Sequence, residues 1–191
     1  EYLTEYFGEE AEQREAFFVD CGVSYPSPVT ITAMTNTAPI VVTAAGHGLS
    51  TGDRIYIEDV EGMLDEDGGP NGQTYTIGGV AGNNFELDGT NGTVSTPYES
   101  GGTFRKYVST VTGLAHLEGQ TVAVLGDGAV QASKAVTASV ITLDTAAHTV
   151  QVGLPYNSDA KTLRLDAGSA NGTSFGKTRR INSLALMLNR S

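Results

Sequence analysis

Three histidines are the side chains in this sequence best suited to acid–base or nucleophilic catalysis. Each lies at a predicted turn or strand end, and they are His47, His116 and His148. A Ser-His-Asp triad can be written with any of them, but a triad is recognised by its geometry, which the sequence does not supply. No two histidines have the spacing of a zinc site. We therefore expect structural or solvated histidines, with no catalytic or metal-binding residue.

A group of carboxylates has the chemistry of a glycosidase acid–base pair. They lie along a predicted strand and the turn after it, at Asp53, Glu58, Asp59 and Glu61. Charged side chains are ordinary on the solvent side of a strand. We interpret these carboxylates as contributors to solubility and rank a glycosidase as the least favoured function.

The loop that follows is dense in oxygen-bearing side chains, as a calcium loop must be. It reads DEDGGPNG from Asp65 to Gly72. It departs from the EF-hand pattern because Gly69 replaces the third ligand and no Glu occupies the twelfth position. We predict a solvated turn, and weak calcium binding at Asp65–Asn71 remains the alternative.

The single cysteine and the glycine groups are predicted to be structural. Cys21 excludes an internal disulfide framework, and its apolar surroundings indicate a small core residue. The glycines at 78–79, 101–102 and 126–128 precede no predicted helix, so they lack the geometry of a phosphate-binding loop. We expect hairpin turns at all three places and no cofactor site.

The net charge of −11 is unevenly distributed along the chain. Residues 1–105 carry 17 Asp or Glu against 3 Lys or Arg, whereas residues 106–191 carry 5 against 8. The one basic cluster is Lys177, Arg179 and Arg180, which lacks the interleaved aromatic rings typical of nucleic-acid binding. We interpret it as an edge-strand guard or as a patch that forms salt bridges with an acidic neighbour.

The elements that must position these residues are short strands. No long helical period follows residue 16, and alternating runs are separated by turn-forming Gly, Asn and Asp. In the run 53–60, alternation places Asp59 on the same side as Ile55 and Ile57. The run at 120–130 predicts a hairpin, 139–156 predicts two more alternating strands, and 177–191 predicts a half-buried strand. No apolar run is long enough to cross a membrane.

The pattern of predicted strands and turns changes after Lys106, which indicates two domains. The strand predicted at 16–25 has no partner before the prolines at 26–28, so its continuation is expected after Lys106. We predict an all-β chain of two small sandwich or barrel domains, one inserted into the other. The discontinuous domain comprises 1–28 and 107–191, with 1–15 a linker or short helix, and the inserted barrel comprises 29–106.

Two motifs in the flanking segments carry a resemblance to a known class. They are G-L-x-H-L-E-G-x-x-V, within VTGLAHLEGQTVAVLGDGAVQ, and V-x-V-G-L-P-Y, within ITLDTAAHTVQVGLPY. With FFVDCGVSY and AGSANGTSFGKTRRINSLALMLNRS, they resemble the C-terminal region of tail structural proteins of tailed bacteriophages, of the nozzle or DNA-stabilisation type. The resemblance covers residues 16–27 and 107–191.

The segment between them has a second resemblance. GHGLSTGDRIYIEDVEGM, GPNGQTYTIGGV, NNFELDG and YESGGTFRKY are similar to the first catalytic-cysteine half-domain of ubiquitin-activating enzymes, a small β module that recurs in phage tail proteins. No cysteine lies within 30–106, so ubiquitin-like chemistry does not carry over. The resemblance implies fold-forming roles, with 46–49 and 52–53 making a turn and 101–102 opening the last strand.

Together these resemblances imply a non-enzymatic subunit of a phage tail nozzle or tail tip. Such a subunit would form a ring, commonly sixfold, around the tail channel and would contact other tail proteins and, in passing, DNA. It would reside in the virion after assembly in the host bacterial cytoplasm. The alternative is a module displayed on the virion that binds host-surface carbohydrate, with Tyr56, Tyr75 and Tyr98 as stacking residues.

Overall fold

Short antiparallel strands form nearly all of the regular structure, which confirms the all-β prediction. The computed structural model describes residues 19–66 and 68–156. Within these ranges the only helical element is a 3-10 turn at Ala115–Leu117, and no helix there is long and apolar enough to cross a membrane. The segments predicted as a linker or helix (1–15) and as a final strand (177–191) lie outside the described residues.

Thirteen strands are present in the described ranges. They are β1 (Asp20–Tyr25), β2 (Val29–Thr30), β3 (Ala33–Met34), β4 (Ile40–Thr43), β5 (Arg54–Gly62), β6 (Gln73–Ala81), β7 (Asn84–Leu87), β8 (Tyr98–Lys106), β9 (Val108–Val111), β10 (Thr121–Gly126), β11 (Ala129–Ala135), β12 (Ile141–Ala147) and β13 (Val150–Leu154). The hairpin predicted at 120–130 is β10–β11. The two strands predicted at 139–156 are β12 and β13, which belong to different sheets.

The first sheet curls until one segment of chain joins its two ends. Its order is β2-β8-β5-β6-β7-β4-β3, and β2 and β3 are separated by only two residues. Ile31 N donates to Gly102 O on one side at 2.9 Å, and Thr32 N donates to Thr43 O on the other at 2.9 Å. The same short segment therefore pairs with both β8 and β4, and the sheet surrounds a core.

That core is made almost entirely of the inward-facing positions of alternating strands. Its buried members are Ile31, Met34, Ile40, Val42, Ala44, Leu49, Ile55, Ile57, Val60, Met63, Ile77, Phe85, Leu87 and Phe104. The ring of Phe85 meets Phe104 edge to face, with centroids 5.3 Å apart, which adds directional packing to simple burial.

A second core lies between the sheet β1-β13-β10-β11 and the pair β12-β9. Its buried members are Val111, Leu114, Leu117, Val122, Val124, Val136, Ile141, Leu143, Ala147, Val150 and Val152. β1 precedes the first sheet in sequence, yet it pairs with β13, with Val23 opposite Val152. The strands that flank 29–106 are thus partners in one sheet, and all described residues fall within one compact unit.

The predicted alternation along β5 is wrong at Asp59. Asp59 has φ 61°, so it is exposed, and Val60 instead of Asp59 turns into the core. The opposite strand accommodates this change with Gly101 and Gly102, both at positive φ, where a Cβ at Gly101 would lie 2.8 Å from Asp59 O. Gly101 and Gly102 therefore lie inside β8, where its register with β5 is continuous, and they neither form a hairpin turn nor open the strand.

Two other predictions about small residues are also corrected. Gly78 and Gly79 lie within β6, where the register with β7 shifts between Ile77 and Val80, so they form a bulge and no hairpin turn. Cys21 is exposed, with φ 51°, at an irregularity of β1, and is not a core residue. The Asp127-Gly128 turn between β10 and β11 agrees with the prediction.

The residues of the GLAHLEG motif (113–119) have two structural roles: the leucines fill the second core, and the glutamate acts as a clamp that holds a distant turn. Leu114 and Leu117 are buried in the second core, and the Glu118 carboxylate accepts hydrogen bonds from Ala138 N at 2.9 Å and Ser139 N at 2.6 Å. Both turn residues have positive φ, 54° and 61°, which is unfavourable for side chains other than glycine, Asn or Asp. Glu118 thus holds a turn that its own residues disfavour.

We expect Glu118→Ala to lower the free energy of unfolding by about 1–2 kcal/mol, because two charge-assisted hydrogen bonds are lost. Replacing Ala138-Ser139 by Asn-Gly, the preferred pair for two positive φ values, should recover most of this loss. Urea denaturation of the single variant, the turn variant and their combination measures both effects. A turn replacement that helps no more in the Glu118→Ala background than in wild type would contradict the clamp.

Candidate functional site

The imidazole of His47 is fixed between two loops of the first sheet. Leu49 N donates to its Nδ1 at 3.0 Å, so Nε2 carries the proton and donates to Gly82 O, also at 3.0 Å. The ring also meets Phe85 edge to face at 5.2 Å. Both nitrogens are used to join the β4–β5 loop to the β6–β7 turn, as expected for a structural histidine.

The segment after His47 contains a spacing that the sequence reasoning passed over. Gly48-Leu49-Ser50-Thr51-Gly52 has the Gly-x-Ser-x-Gly pattern of a nucleophile elbow, and residues 172–176 repeat it outside the described residues. An elbow connects a strand to a helix, whereas this segment is a loop between two strands. Its serine contributes a backbone amide, since Ser50 N donates to Asp53 Oδ2 at 2.7 Å.

Asp53 is the anchor of that loop. Its Oδ2 also accepts a hydrogen bond from Lys106 Nζ at 2.6 Å, which ties β5 to the last residue of β8. Burial by itself would raise the pKa of Asp53, but the hydrogen bonds from Lys106 and Ser50 and the positive charge of Lys106 outweigh it, so the pKa lies below its ordinary value. A carboxyl held in its charged form is unsuited to act as a general acid near neutral pH.

The other carboxylates considered for glycosidase chemistry point to different partners. Glu58 forms an ion pair with Arg105, and Glu61 accepts a hydrogen bond from Ser100 Oγ. Asp59 is displaced from the alternation by its positive φ. In the described chain these three groups lie one after another along β5, and two of them are engaged by residues of β8, so they do not form an acid–base pair.

The acid-rich loop is organised by its own backbone. Asp65 Oδ1 accepts a hydrogen bond from Gly69 N at 3.1 Å. Asn71 does not face the loop: its side chain donates to Val60 O and accepts from Val60 N, both at 2.8 Å, as a neighbouring strand would. Among the described residues no group of three or more His, Cys, Asp or Glu is placed to hold a metal ion. Asp67 lies outside the described residues.

His116 and His148 both contact the backbone or carboxylates of neighbouring turns. His116 Nε2 is 3.1 Å from Cys21 O, which links the 3-10 turn to β1. His148 Nε2 lies 3.4 Å from Asp127 Oδ1, and its Nδ1 lies 3.1 Å from Thr149 Oγ1. These distances resemble a triad, but Asp127 also accepts hydrogen bonds from the amides of His148 and Thr149 and so serves the turn.

An aromatic contact, unforeseen from the sequence, joins the two cores. The ring of His148, between β12 and β13, stacks on Tyr56 of β5 with centroids 4.1 Å apart and planes at 10°. Tyr107 meets the same imidazole edge to face at 5.1 Å, and Arg54 lies 4.6 Å from the centroid of Tyr107. We call these residues, with Asp127, the junction. Tyr107 alone connects β8 to β9, so the contact lies where the chain passes from one core to the other.

The tyrosines considered for carbohydrate stacking are engaged in packing. Tyr75 and Tyr98 pack against the first core, and Tyr98 OH donates to Gly101 O at 2.9 Å. Burial, with the negative charge of Asp65, raises the pKa of Tyr75. Tyr56 has one face against His148. The three rings do not form an open platform. The basic cluster at 177–180 lies outside the described residues.

We expect the Asp53–Lys106 pair to stabilise the fold by about 0.5–1 kcal/mol near neutral pH. Because the folded pKa of Asp53 is lowered, this stability is complete above the unfolded pKa of about 3.9 and is lost as pH falls through the folded pKa. Unfolding free energies of wild type and Asp53→Asn from pH 3 to 7 should therefore converge at the acidic end. In a Lys106→Gln background the same comparison should show a smaller difference; an equal difference would refute the pairing.

No protein-family model matches this chain, and no curated protein matches it. The interpretation of its function therefore rests on the residues themselves, on the geometry just described and on the motifs quoted from the sequence.

Proposed function

We propose that this protein is a non-enzymatic structural subunit of a bacteriophage tail, of the nozzle or tail-tip type. The main support for the proposal is that the motif residues are buried in a core or hold a turn. Leu114, Leu117 and Glu118 of the first motif fill the second core and clamp a turn, and Val150 and Val152 of the second are fully buried. Motifs that hold a fold together are those that a structural protein needs.

The groups that could have supported catalysis are committed to the same task. His47 joins two loops, Asp53 anchors one of them with Lys106, and Asp127 accepts the amides of a turn. A catalytic acid or base must instead meet a substrate with its titrating atom. This use of polar groups favours a structural subunit over a glycosidase, and the packed tyrosines do not favour a carbohydrate-binding surface.

The described part of the chain has the negative charge that we expect of a channel through which DNA passes. Each Lys and Arg in the described ranges has a partner: Arg105 pairs with Glu58, Lys106 with Asp53, Lys134 with Asp144, and Arg54 lies against the Tyr107 ring. The carboxylates outnumber these cations, so the field of this part of the chain is negative. A negative surface repels phosphates, and a channel lined with it would let DNA pass without holding it.

We also propose that 29–106 is a module inserted into a domain formed by its flanks. The pairing of β1 with β13 and the two separate cores support this division. The two crossings, at 26–28 and at Tyr107, are close together because Val29 pairs with Phe104. The stacked contact of Tyr56 with His148 would then hold the module against the domain that carries it.

Deletion of the module tests the division. In a chain where residues 29–106 are replaced by two or three glycines, we expect the remainder to unfold cooperatively, with β-type circular dichroism and protected amides in β10 and β13. Because the His148 ring loses its stacking partner, the free energy of unfolding of the remainder should be about 1 kcal/mol lower than that of the same domain in the full chain. A remainder that fails to fold, even with His148→Ser to remove the exposed ring, would show that the two cores are one domain.

Assembly of the full chain tests the function. We expect light scattering after size exclusion to give a closed oligomer, and electron microscopy to show rings with a central channel. The rings should neither bind duplex DNA at physiological salt nor cleave bacterial polysaccharide. A monomer across the micromolar range would contradict the proposal, and polysaccharide cleavage that Asp53→Asn or Glu58→Gln abolishes would replace it with the glycosidase.

A further inference from the structure

Two hydrogen-bonded loops, at the end of β5 remote from the junction, each expose an apolar side chain. Leu64 is 53% exposed and Val94 is 74% exposed. Leu64 N donates to Thr96 Oγ1 and Thr96 N donates to Leu64 O, both at 2.9 Å, so the loops that carry the two side chains are joined. Isolated apolar residues on a surface are ordinary, but a pair on a fixed support forms a site for contact.

Two acidic side chains lie near the Leu64 end of this pair. Glu66 follows Leu64 by two residues, and Glu99 lies beside Gly62, where an added Cβ would be 3.2 Å from Glu99 Cγ. Both carboxylates are exposed, and neither has a hydrogen bond or ion pair within the described ranges. We call Leu64, Val94, Glu66 and Glu99 the distal patch. An apolar centre with a charged rim is the usual composition of a protein–protein contact.

The charge of the rim specifies the partner. A second copy's described residues offer no suitable cation, because Arg54, Arg105, Lys106 and Lys134 are already engaged. The sequence from 157 to 191 is opposite in sign, with six Lys or Arg against two Asp. Its densest run of cations is 177–180, followed by alternating leucines at 184, 186 and 188. Basic and apolar residues in succession are the complement of the distal patch.

We infer that the distal patch of one subunit binds the segment around Lys177–Arg180 of a second copy. The inference rests on the proposed function, since it names the contact by which subunits associate. We name a second copy and not the same chain, because the association of subunits in the proposed function requires a contact between chains. A head-to-tail contact of this kind is heterologous, and repeated contacts of this kind close into a ring when the rotation allows.

Charge exchange between two full-length variants tests the contact. The patch variant carries Glu66→Lys and Glu99→Lys, and the segment variant carries Lys177→Glu, Arg179→Glu and Arg180→Glu. Each alone should weaken self-association on the order of tenfold or more, measured by sedimentation or light scattering. An equimolar mixture should regain assembly, because reversed patches then meet reversed segments. Asp20→Lys, a reversal on β1, is the control and should leave self-association unchanged.

The outcomes separate this inference from the proposed function. Rings that form equally well in wild type and in both variants would overturn the inference and leave the structural role intact. Variants that change only the thermal stability, independently of protein concentration, would assign the contact to a single chain and overturn the inference as well. A wild-type monomer would overturn both. Loss of assembly in each variant with recovery on mixing, at unchanged circular dichroism, is the result that supports it.

Discussion

The need to satisfy backbone amides in tight turns is the constraint on which this fold depends. Its strands are short and its turns many, so a large share of the backbone lies outside the sheet ladders, where only side chains or water can pair with it. Glu118, Asp127 and Asn71 each accept hydrogen bonds from the amides of a segment distant in sequence. His47 and Asp53 accept the amides of Leu49 and Ser50 within their own loop. Each such contact fixes a turn in position, and the turn fixes the register of the strands that it joins.

This constraint explains why residues suited to chemistry are poor candidates for catalysis here. A carboxylate that accepts two amides, as Glu118 does, is held in one orientation by the backbone that it stabilises. Its removal would leave those amides to be satisfied by water, whereas a catalytic carboxylate is free to exchange a proton with a substrate. The same residue types are therefore distinguished by their partners, and a sequence shows the types without the partners.

The sequence was informative where a local pattern decides the structure. It was uninformative where the structure depends on pairing between strands that are distant in sequence. Alternation and turn residues predicted the β10–β11 hairpin and the separate strands β12 and β13, and the absence of helical periodicity predicted the all-β class. Asp59 was misplaced because its positive φ depends on Gly101 in the opposite strand, which no local pattern records. Cys21 was misplaced for a similar reason, at an irregularity of β1 against β13. The junction was missed because Tyr56 and His148 are far apart in sequence.

The junction also restricts the movement of the two cores relative to each other. Two chain crossings near each other would by themselves act as a hinge, since both pass through the same small region. A stacked contact between two residues that belong to neither crossing supplies a third point of attachment beside the crossing at Tyr107, and a third point restricts rotation about the other two. Tyr56 and His148, with Tyr107 against the ring edge, provide that point. Aromatic contacts of this kind are worth about 0.5–1.5 kcal/mol beyond burial, enough to favour one orientation several-fold. In the ring that we propose, cores that keep one orientation would present the distal patch in a fixed direction, as closure requires.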